Sequence, residues 1–226
     1  MESYINIETP PVTEEGVEYV AKKVLIATIY NAEPVLLAST RLGPDILILL
    51  VDEEPNKEQN EAIKTIQTSI GKVLEVKLVK TDVYDIVKVA KKCVEIIDMQ
   101  HKDDIIYVNI TSGRKTKAIG LLFAAYARHE KVAKIAYNPE EDKTSVVYLP
   151  RLSFNLTESQ KTILELLDKG KYDSITDLAA KIELSTAMLY RAINELKDFD
   201  FIEVDDSGIR LTDAGKIARL WKKWIH

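Results

Sequence analysis

Apolar and polar positions alternate in blocks along the first 150 residues. Val24-Leu25-Ile26-Ala27-Thr28-Ile29-Tyr30 is a run too short for a buried helix and predicts a strand covered on both faces. Asn31-Ala32-Glu33-Pro34 breaks that strand, and Val35 to Leu42 follows with helical spacing until Gly43-Pro44. Ile46 to Val51 reads as a second buried strand, closed by Asp52-Glu53-Glu54-Pro55. Lys57 to Ile70 then carries Ala62, Ile63, Ile66 and Ile70 on one helical stripe. Leu74 to Val79 alternates apolar and charged residues, as a half-exposed strand does. Asp85 to Gln100 predicts a helix with Ile86, Val89, Ala90, Cys93, Val94 and Ile97 inward. Ile105 to Ile110 is a fourth buried strand and Thr116 to His129 a fourth helix. Val132–Tyr137 and Ser145–Leu149, split by a short polar link, predict a hairpin and an antiparallel last strand. Four strand–helix repeats of this kind imply an α/β fold, a Rossmann-like, mostly parallel, doubly wound sheet. Residues 1–22 show no clear period.

After Pro150 the period changes. Thr157 to Gln160 has the form of a capping box, opening a helix that buries Ile163, Leu166 and Leu167 and stops at Gly170. A second helix, Ile175 to Ile182, starts from Ser174 and turns Leu178, Ala179 and Ile182 inward. A third runs from Thr186 to Asp198 with Leu189, Ala192, Ile193 and Leu196 as its core stripe. Phe201–Val204 and Ile209–Leu211 flank the turn Asp205-Asp206-Ser207-Gly208. A final basic helix extends from a Thr212 cap through Trp224. Three helices, a hairpin and a helix predict a winged helix-turn-helix over residues 151–226, set after a Rossmann-like domain over residues 1–150. The third helix leaves Thr186, Ala187, Tyr190, Arg191, Asn194 and Lys197 outward. Tyr190, Arg191 and Asn194 suit base edges in a major groove, while Ser185 and Thr186 suit a phosphate. Arg210, on the second hairpin strand, is a candidate backbone contact. Asp205 and Asp206 at the tip favour the alternative, a module used only for protein contacts.

Net charge is −5, and residues 151–226 carry 12 Lys and Arg against 13 Asp and Glu, so nucleic-acid binding has to come from placement of charge. No apolar run is long enough to span a membrane, and Met1–Glu18 lacks the basic-then-apolar layout of a signal peptide. The single cysteine, Cys93, has no internal disulfide partner and faces a helix core. The expected location is the cytoplasm.

Ligands of open α/β sheets gather at the carboxyl ends of strands. Thr28, Tyr30 and Asn31 follow the first strand. Asn109-Ile110-Thr111-Ser112-Gly113-Arg114-Lys115-Thr116-Lys117 follows the fourth and runs straight into a helix. Hydroxyls, a permissive glycine, three cations and unpaired helix N–H groups all favour an anion such as phosphate. An ordinary capped turn with solvated cations is the alternative. Dinucleotide and Walker glycine patterns are absent. Glu33, Asp52, Glu53 and Glu54 lie near strand ends without His or Cys and read as turn and solvated residues, so no metal and no cofactor is expected. His101 and His129 fall at helix ends, and Trp221 and Trp224 read as packing residues.

The segment Asn109 to Lys115 resembles the Asn-[Ile/Leu]-Thr-Gly-Gly-Thr-Lys signature of the CRISPR-associated Rossmann-fold (CARF) regulators of archaea, of the CARF–winged-helix type. Ser112 and Arg114 depart from that signature. The run Leu184 to Leu196 is similar to the recognition helix of prokaryotic regulators. The likeness extends from about Val24 to the end of the chain. It implies a homodimer with a shared pocket for a cyclic oligoadenylate, most often cyclic tetra-adenylate. Thr28, Tyr30 and Asn31 would lie near ribose or base and Thr111 to Lys115 near phosphates, with Asn109 also among the ligand-binding residues. It also implies binding to a palindromic double-stranded DNA operator and ligand-dependent control of CRISPR or defence genes. Some relatives cleave the ring themselves without a metal. Thr111 with Lys115 or Lys117 would serve that chemistry here.

Overall fold

Seven consecutive buried residues need cover on both faces, and they form β2 (Ile46–Asp52) inside a six-stranded sheet of the computed structural model. The structure describes residues 19–139, 141–142, 145–150, 156–182, 184–205 and 208–221. The chain divides into two units after Leu152.

In the first unit, β2 lies between β1 (Lys23–Thr28) and β3 (Glu75–Thr81). On the other side of β1 follow β4 (Ile105–Asn109), β5 (Val132–Tyr137) and β6 (Val147–Leu149), giving the order β3-β2-β1-β4-β5-β6. Only β6 is antiparallel, paired with β5, as the polar link before it predicts. The chain winds outward from β1 to β3, then crosses back to β4. The loops after β1 and β4 therefore leave in opposite directions and open a crevice between them.

Helices α1 (Ala32–Leu42) and α2 (Lys57–Ile70) cover one face. Leu25, Ala27 and Ile29 join Leu47, Leu49 and Val51 there, packed on Val35 and Ala38 of α1 and Ala62, Ile63 and Ile66 of α2. The period of two sends Thr28 and Asp52 to the opposite face. There α4 (Lys115–Ala127) reaches Asp52 through Lys117, and α3 (Ile86–Asp98) buries Val89, Ala90, Cys93 and Ile97. Past the end of α4, Arg128 clamps α3: its Nε and Nη2 donate to the two oxygens of Asp98, each at 2.8 Å.

Several boundaries differ from the sequence expectation. Asn31 to Pro34 does not separate strand from helix, because α1 begins at Ala32 with Asn31 as its cap. Pro34 falls in the first turn, where a missing N–H leaves no hydrogen bond unmade. β3 starts at Glu75 and runs to Thr81, an edge strand only partly covered. Among the described residues no helix is long and apolar enough to cross a membrane.

The second unit contains α5 (Glu158–Lys169), α6 (Ile175–Ala179), α7 (Thr186–Asp198), the antiparallel pair β7 (Ile202–Asp205) and β8 (Gly208–Leu211), and α8 (Asp213–Ala218). Thr157 and Gln160 form the expected capping box, and Ser174, Ser185 and Thr212 cap the following helices. The core joins Ile163, Leu164 and Leu167 of α5 to Leu178, to Leu189, Ile193 and Leu196 of α7, and to Ile202 and Ile209 of the hairpin. On α5 it is Leu164 that is buried, while Leu166 packs at the edge. α6 is shorter than expected, ending at Ala179. Gly215 allows α8 to sit on the hairpin: a Cβ there would lie 2.0 Å from the Phe201 carbonyl oxygen. Trp221 is buried, as a packing residue should be. The expected basic extension, Lys222, Lys223 and Trp224, lies outside the described residues, as do residues 1–18 and Asp206.

Candidate functional site

The crevice at the carboxyl edge is tied together by side chains from the loop after β4. Ser112 Oγ accepts the backbone N–H groups of Tyr30 and Asn31, each at 2.9 Å, and donates to the Asn31 carbonyl at 3.3 Å. It satisfies two backbone donors at the entrance to α1, where the Asn31 side chain makes no capping bond. Gly113 follows at φ +95°. A Cβ there would meet Thr28 Cβ at 3.0 Å and the Ile29 nitrogen at 3.2 Å, so both backbone angle and proximity to β1 demand glycine. The β4 loop is thereby pressed against the end of β1.

A second tie joins β4 to β5. Thr111 Oγ1 accepts the N–H of Asn138 at 2.8 Å and donates to its Oδ1 at 3.2 Å. Asn109 Nδ2 donates to the same Oδ1 at 3.2 Å, and Asn109 Oδ1 accepts the Thr111 N–H. Asn138, directly after β5, is thus the centre of the network, and the sequence reading did not single it out. The signal was available in its position, a polar residue closing an apolar strand.

These ties frame an open cleft of about 470 Å³. Tyr30, Asn31, Glu33, Pro34 and Leu37 line one side, and Thr111, Ser112, Gly113, Asn138 and Pro139 the other. Tyr30 is braced from behind, its hydroxyl 3.4 Å from Asn56 Nδ2. Gln59 links the neighbouring strand ends, donating to the Ile29 carbonyl at 2.8 Å and accepting the Asp52 N–H at 3.0 Å.

Of the residues expected at the site, Tyr30, Asn31, Thr111, Ser112 and Gly113 line the cleft. Thr28 does not: it is fully buried beneath Gly113, and its hydroxyl finds no partner among the described residues. Asn109 is also buried and holds the β5 loop in place.

The three cations separate by depth. Lys115, the first residue of α4, is exposed. Arg114 is half-exposed, its Nε 2.9 Å from Asp52 Oδ2. Lys117 has no exposed surface and sits with its Nζ 2.6 Å from Asp52 Oδ1. The reading of Lys117 as a solvated or phosphate-facing cation is corrected by this burial: three residues further round the helix than Arg114, it faces the sheet. Asp52 is likewise no solvated turn residue but a buried carboxylate shared by two cations. Burial alone would raise its pKa, yet the hydrogen bonds and charges of Lys117 and Arg114 together outweigh this and hold it below the ordinary value. For Lys117, burial dominates over Asp52 and lowers its pKa. Cys93 is buried on the same face, and burial pushes its thiol up to about 12. Among the described residues no group of His, Cys, Asp and Glu is placed to hold a metal.

In the second unit, Thr186, Ala187, Tyr190, Arg191 and Asn194 all lie on the exposed face of α7. Ser185 spends its hydroxyl on the Met188 N–H as the cap. Arg191 donates to Glu195 along the helix at 2.9 Å. Arg210 is held by Asp205 at 2.7 Å and Glu203 at 2.5 Å, so the hairpin carboxylates offset the charge expected to meet a phosphate.

Comparison with solved structures finds Can2 from Sulfobacillus thermosulfidooxidans in complex with cyclic tetra-adenylate, at 14% identity and TM-score 0.47, covering 88% of this chain and 63% of that one. Csm6 from Enterococcus italicus bound to cyclic hexa-2′-fluoro-hexa-dAMP is 17% identical at TM-score 0.46, covering 80% and 57%. Protein VC1899 from Vibrio cholerae is 11% identical at TM-score 0.46, covering 87% and 64%. The chain spans less than two thirds of the length of each. No curated protein matches the sequence. A family model described as "HFX_2341_N:-like, N-terminal" matches residues 24–142, which runs from Val24 of β1 through β5 and includes every residue of the cleft. The chain belongs to this HFX_2341_N-like family.

Proposed function

We propose that the chain is a ligand-responsive, DNA-binding transcriptional regulator that senses a cyclic oligoadenylate, with cyclic tetra-adenylate the first candidate, and controls CRISPR or defence genes. The observation that carries this reading is the cleft at the β1/β4 crossover, lined by Thr111, Ser112 and Gly113 of the Asn109–Lys115 segment that resembles the CARF signature. Its volume of about 470 Å³ lies in the range of small-molecule sites. A ring of four nucleotides is larger than one such cleft, which favours a homodimer whose two clefts face one ligand across a two-fold axis. Tyr30 and Asn31 would meet base or ribose, and the loop from Thr111 to Lys115 the phosphates.

The second unit is proposed to be a winged helix-turn-helix in which α7 enters the major groove of an operator. Its exposed Tyr190, Arg191 and Asn194 are of the types that read base edges. A two-fold dimer would present two such helices about one DNA turn apart, and ligand binding would alter their spacing. Cleavage of the ring is not favoured, because the Thr111 hydroxyl is engaged by Asn138 and Lys117 is buried. The test is calorimetric titration of the purified protein with cyclic tetra-adenylate, with linear tetra-adenylate as control. One cyclic ligand per two chains, with no comparable heat from the linear form, is the expected result. Absence of binding overturns the sensor reading. Arg191→Glu should abolish operator binding in a mobility-shift assay and spare ligand affinity; loss of both would overturn the division of labour.

A further inference from the structure

Beyond the cleft, the carboxyl edge carries an aromatic ring that no apolar packing explains. Tyr84, in the turn between β3 and α3, is 80% exposed. Its backbone is nevertheless fixed. Asp82 Oδ1 accepts the N–H groups of Tyr84 and Asp85, each at 2.8 Å, and Thr116 Oγ1 of α4 donates to the Val83 carbonyl at 2.6 Å. Asp85 then caps α3. The guanidinium carbon of Arg114 lies 5.9 Å from the Tyr84 ring centroid. Arg114 is itself tethered through Nε to Asp52, and Asp52 is held from below by Lys117. That tether uses one of the guanidinium donors and leaves the two Nη groups for an anion.

We propose that Tyr84 and Arg114 form a second nucleotide subsite, in which one base stacks on Tyr84 and its phosphodiester pairs with Arg114, with Asp52 as the positioning residue for the guanidinium. The two chemical features of a nucleotide, a flat π-face and an anion, are met here by neighbouring groups. Every base has such a face, so the stack needs no sequence preference, and the planar fork of Arg suits a phosphate. The Tyr84 backbone and the Arg114 guanidinium are both held by hydrogen bonds before a ligand arrives, so the ordering left to be lost lies mainly in the Tyr84 side chain. In the sheet order the cleft lies on the β1–β5 side of α4, and this pair lies towards β2 and β3. A ligand of several nucleotides has contacts on both sides, whereas a single nucleotide uses one. The inference rests on the reading of the ligand as an oligonucleotide. The resembled signature has Thr where this chain has Arg114, so the subsite belongs to this sequence.

The experiment titrates the full chain, wild type and Tyr84→Ala, Tyr84→Phe and Arg114→Gln, with cyclic tetra-adenylate. Tyr84→Ala should weaken binding by about fivefold to about 150-fold, the range of one base stack. Tyr84→Phe should restore it, and Arg114→Gln should both weaken it and flatten its salt dependence. Wild-type affinity in Tyr84→Ala overturns the subsite and leaves the sensor reading intact. If the wild type does not bind the ring, adenosine 5′-monophosphate is titrated while NMR follows the Tyr84 ring and the Arg114 Nε–H. Joint perturbation of both signals supports the subsite, and its absence overturns it.

Discussion

Replacing Asp52 by Asn removes one negative charge that two cations share. Arg114 keeps access to water, with 39% of its side chain exposed, and its loss is small. Lys117 has 0% exposed and no such recourse. If it stays charged, an unpaired buried cation costs about 3–5 kcal/mol. If it releases its proton, the cost at pH 7 from an ordinary pKa of 10.5 is about 4.8 kcal/mol, at about 1.4 kcal/mol per pH unit. The two routes are close in energy, so the variant should lose about 3–5 kcal/mol of first-unit stability. The second route leaves a pH signature. In the variant the unfolded chain binds a proton at Lys117 that the folded chain resists, so stability rises with pH until the unfolded pKa is passed. The deficit relative to wild type should shrink by up to about 1.4 kcal/mol per unit between pH 7 and 10. Both tryptophans, Trp221 and Trp224, follow Leu152 in the sequence, so their fluorescence reports the second unit. Urea unfolding must therefore be followed by far-UV circular dichroism, with hydrogen exchange at Val108 and Leu49 to assign the transition. A loss below about 1 kcal/mol, or a deficit unchanged from pH 7 to pH 10, would refute the description of Lys117 as a buried cation dependent on Asp52.

Arg128→Ala should destabilise the first unit by about 2–3 kcal/mol, below the full cost of breaking a buried pair because Asp98 is 34% exposed; urea unfolding read by circular dichroism checks it. Gly215→Ala should cost the second unit at least about 2 kcal/mol through overpacking against Phe201, seen as an earlier tryptophan transition with the first unit unchanged. At both Asp52 and Asp98, burial works to raise the carboxyl pKa, and the cations Lys117 and Arg114, or Arg128 and Lys131, outweigh it and hold the group below the ordinary 3.8. Their contribution is complete above that value and lost as pH falls through the lower folded pKa values, so acid titration should show first-unit stability dropping below about pH 3.8. Stability that stays flat from pH 5 to pH 2 would contradict this.

The sheet was legible because its central strands β1 and β2 are buried on both faces. Ile46 to Val51 and Val24 to Ala27 carry no polar residue, and only a parallel sheet under two helix layers accommodates such runs. The β5–β6 hairpin was legible from its polar link, and the α5 capping box from Thr157 and Gln160. The start of α1 was not, because Pro34 reads as a breaker unless its position within the first turn is known. The cleft's loops were legible as strand-end segments rich in hydroxyls and amides. The roles within them were not, since these depend on partners 27 to 82 positions away: Asn138 on Thr111, and Ser112 on Tyr30. Asp52 is the sharpest case. In sequence it heads an acidic turn with Glu53 and Glu54, and only the strand's alternation towards α4 separates it from them.

The four residues from Arg114 to Lys117 show how one basic run is divided by geometry alone. Successive residues of a helix turn by about 100°, so a run of cations entering α4 cannot present every charge to one ligand. Lys115 faces water, Arg114 remains outside as the cap residue, and Lys117 is driven into the sheet face, where only a carboxylate makes it tolerable. Asp52 answers that need, and because a carboxylate has two oxygens its second one is left to hold Arg114. The interior pair and the half-exposed pair are therefore one arrangement: the burial of Lys117 fixes Asp52, and Asp52 fixes the guanidinium at the rim. Ser112 has an equivalent place on the other side of Gly113, spending its hydroxyl on the Tyr30 and Asn31 N–H groups just past β1, so that the two loops stay in contact. Both departures from the resembled signature, Ser112 and Arg114, thus make contacts between strand ends that a Gly and a Thr at the same positions would not supply.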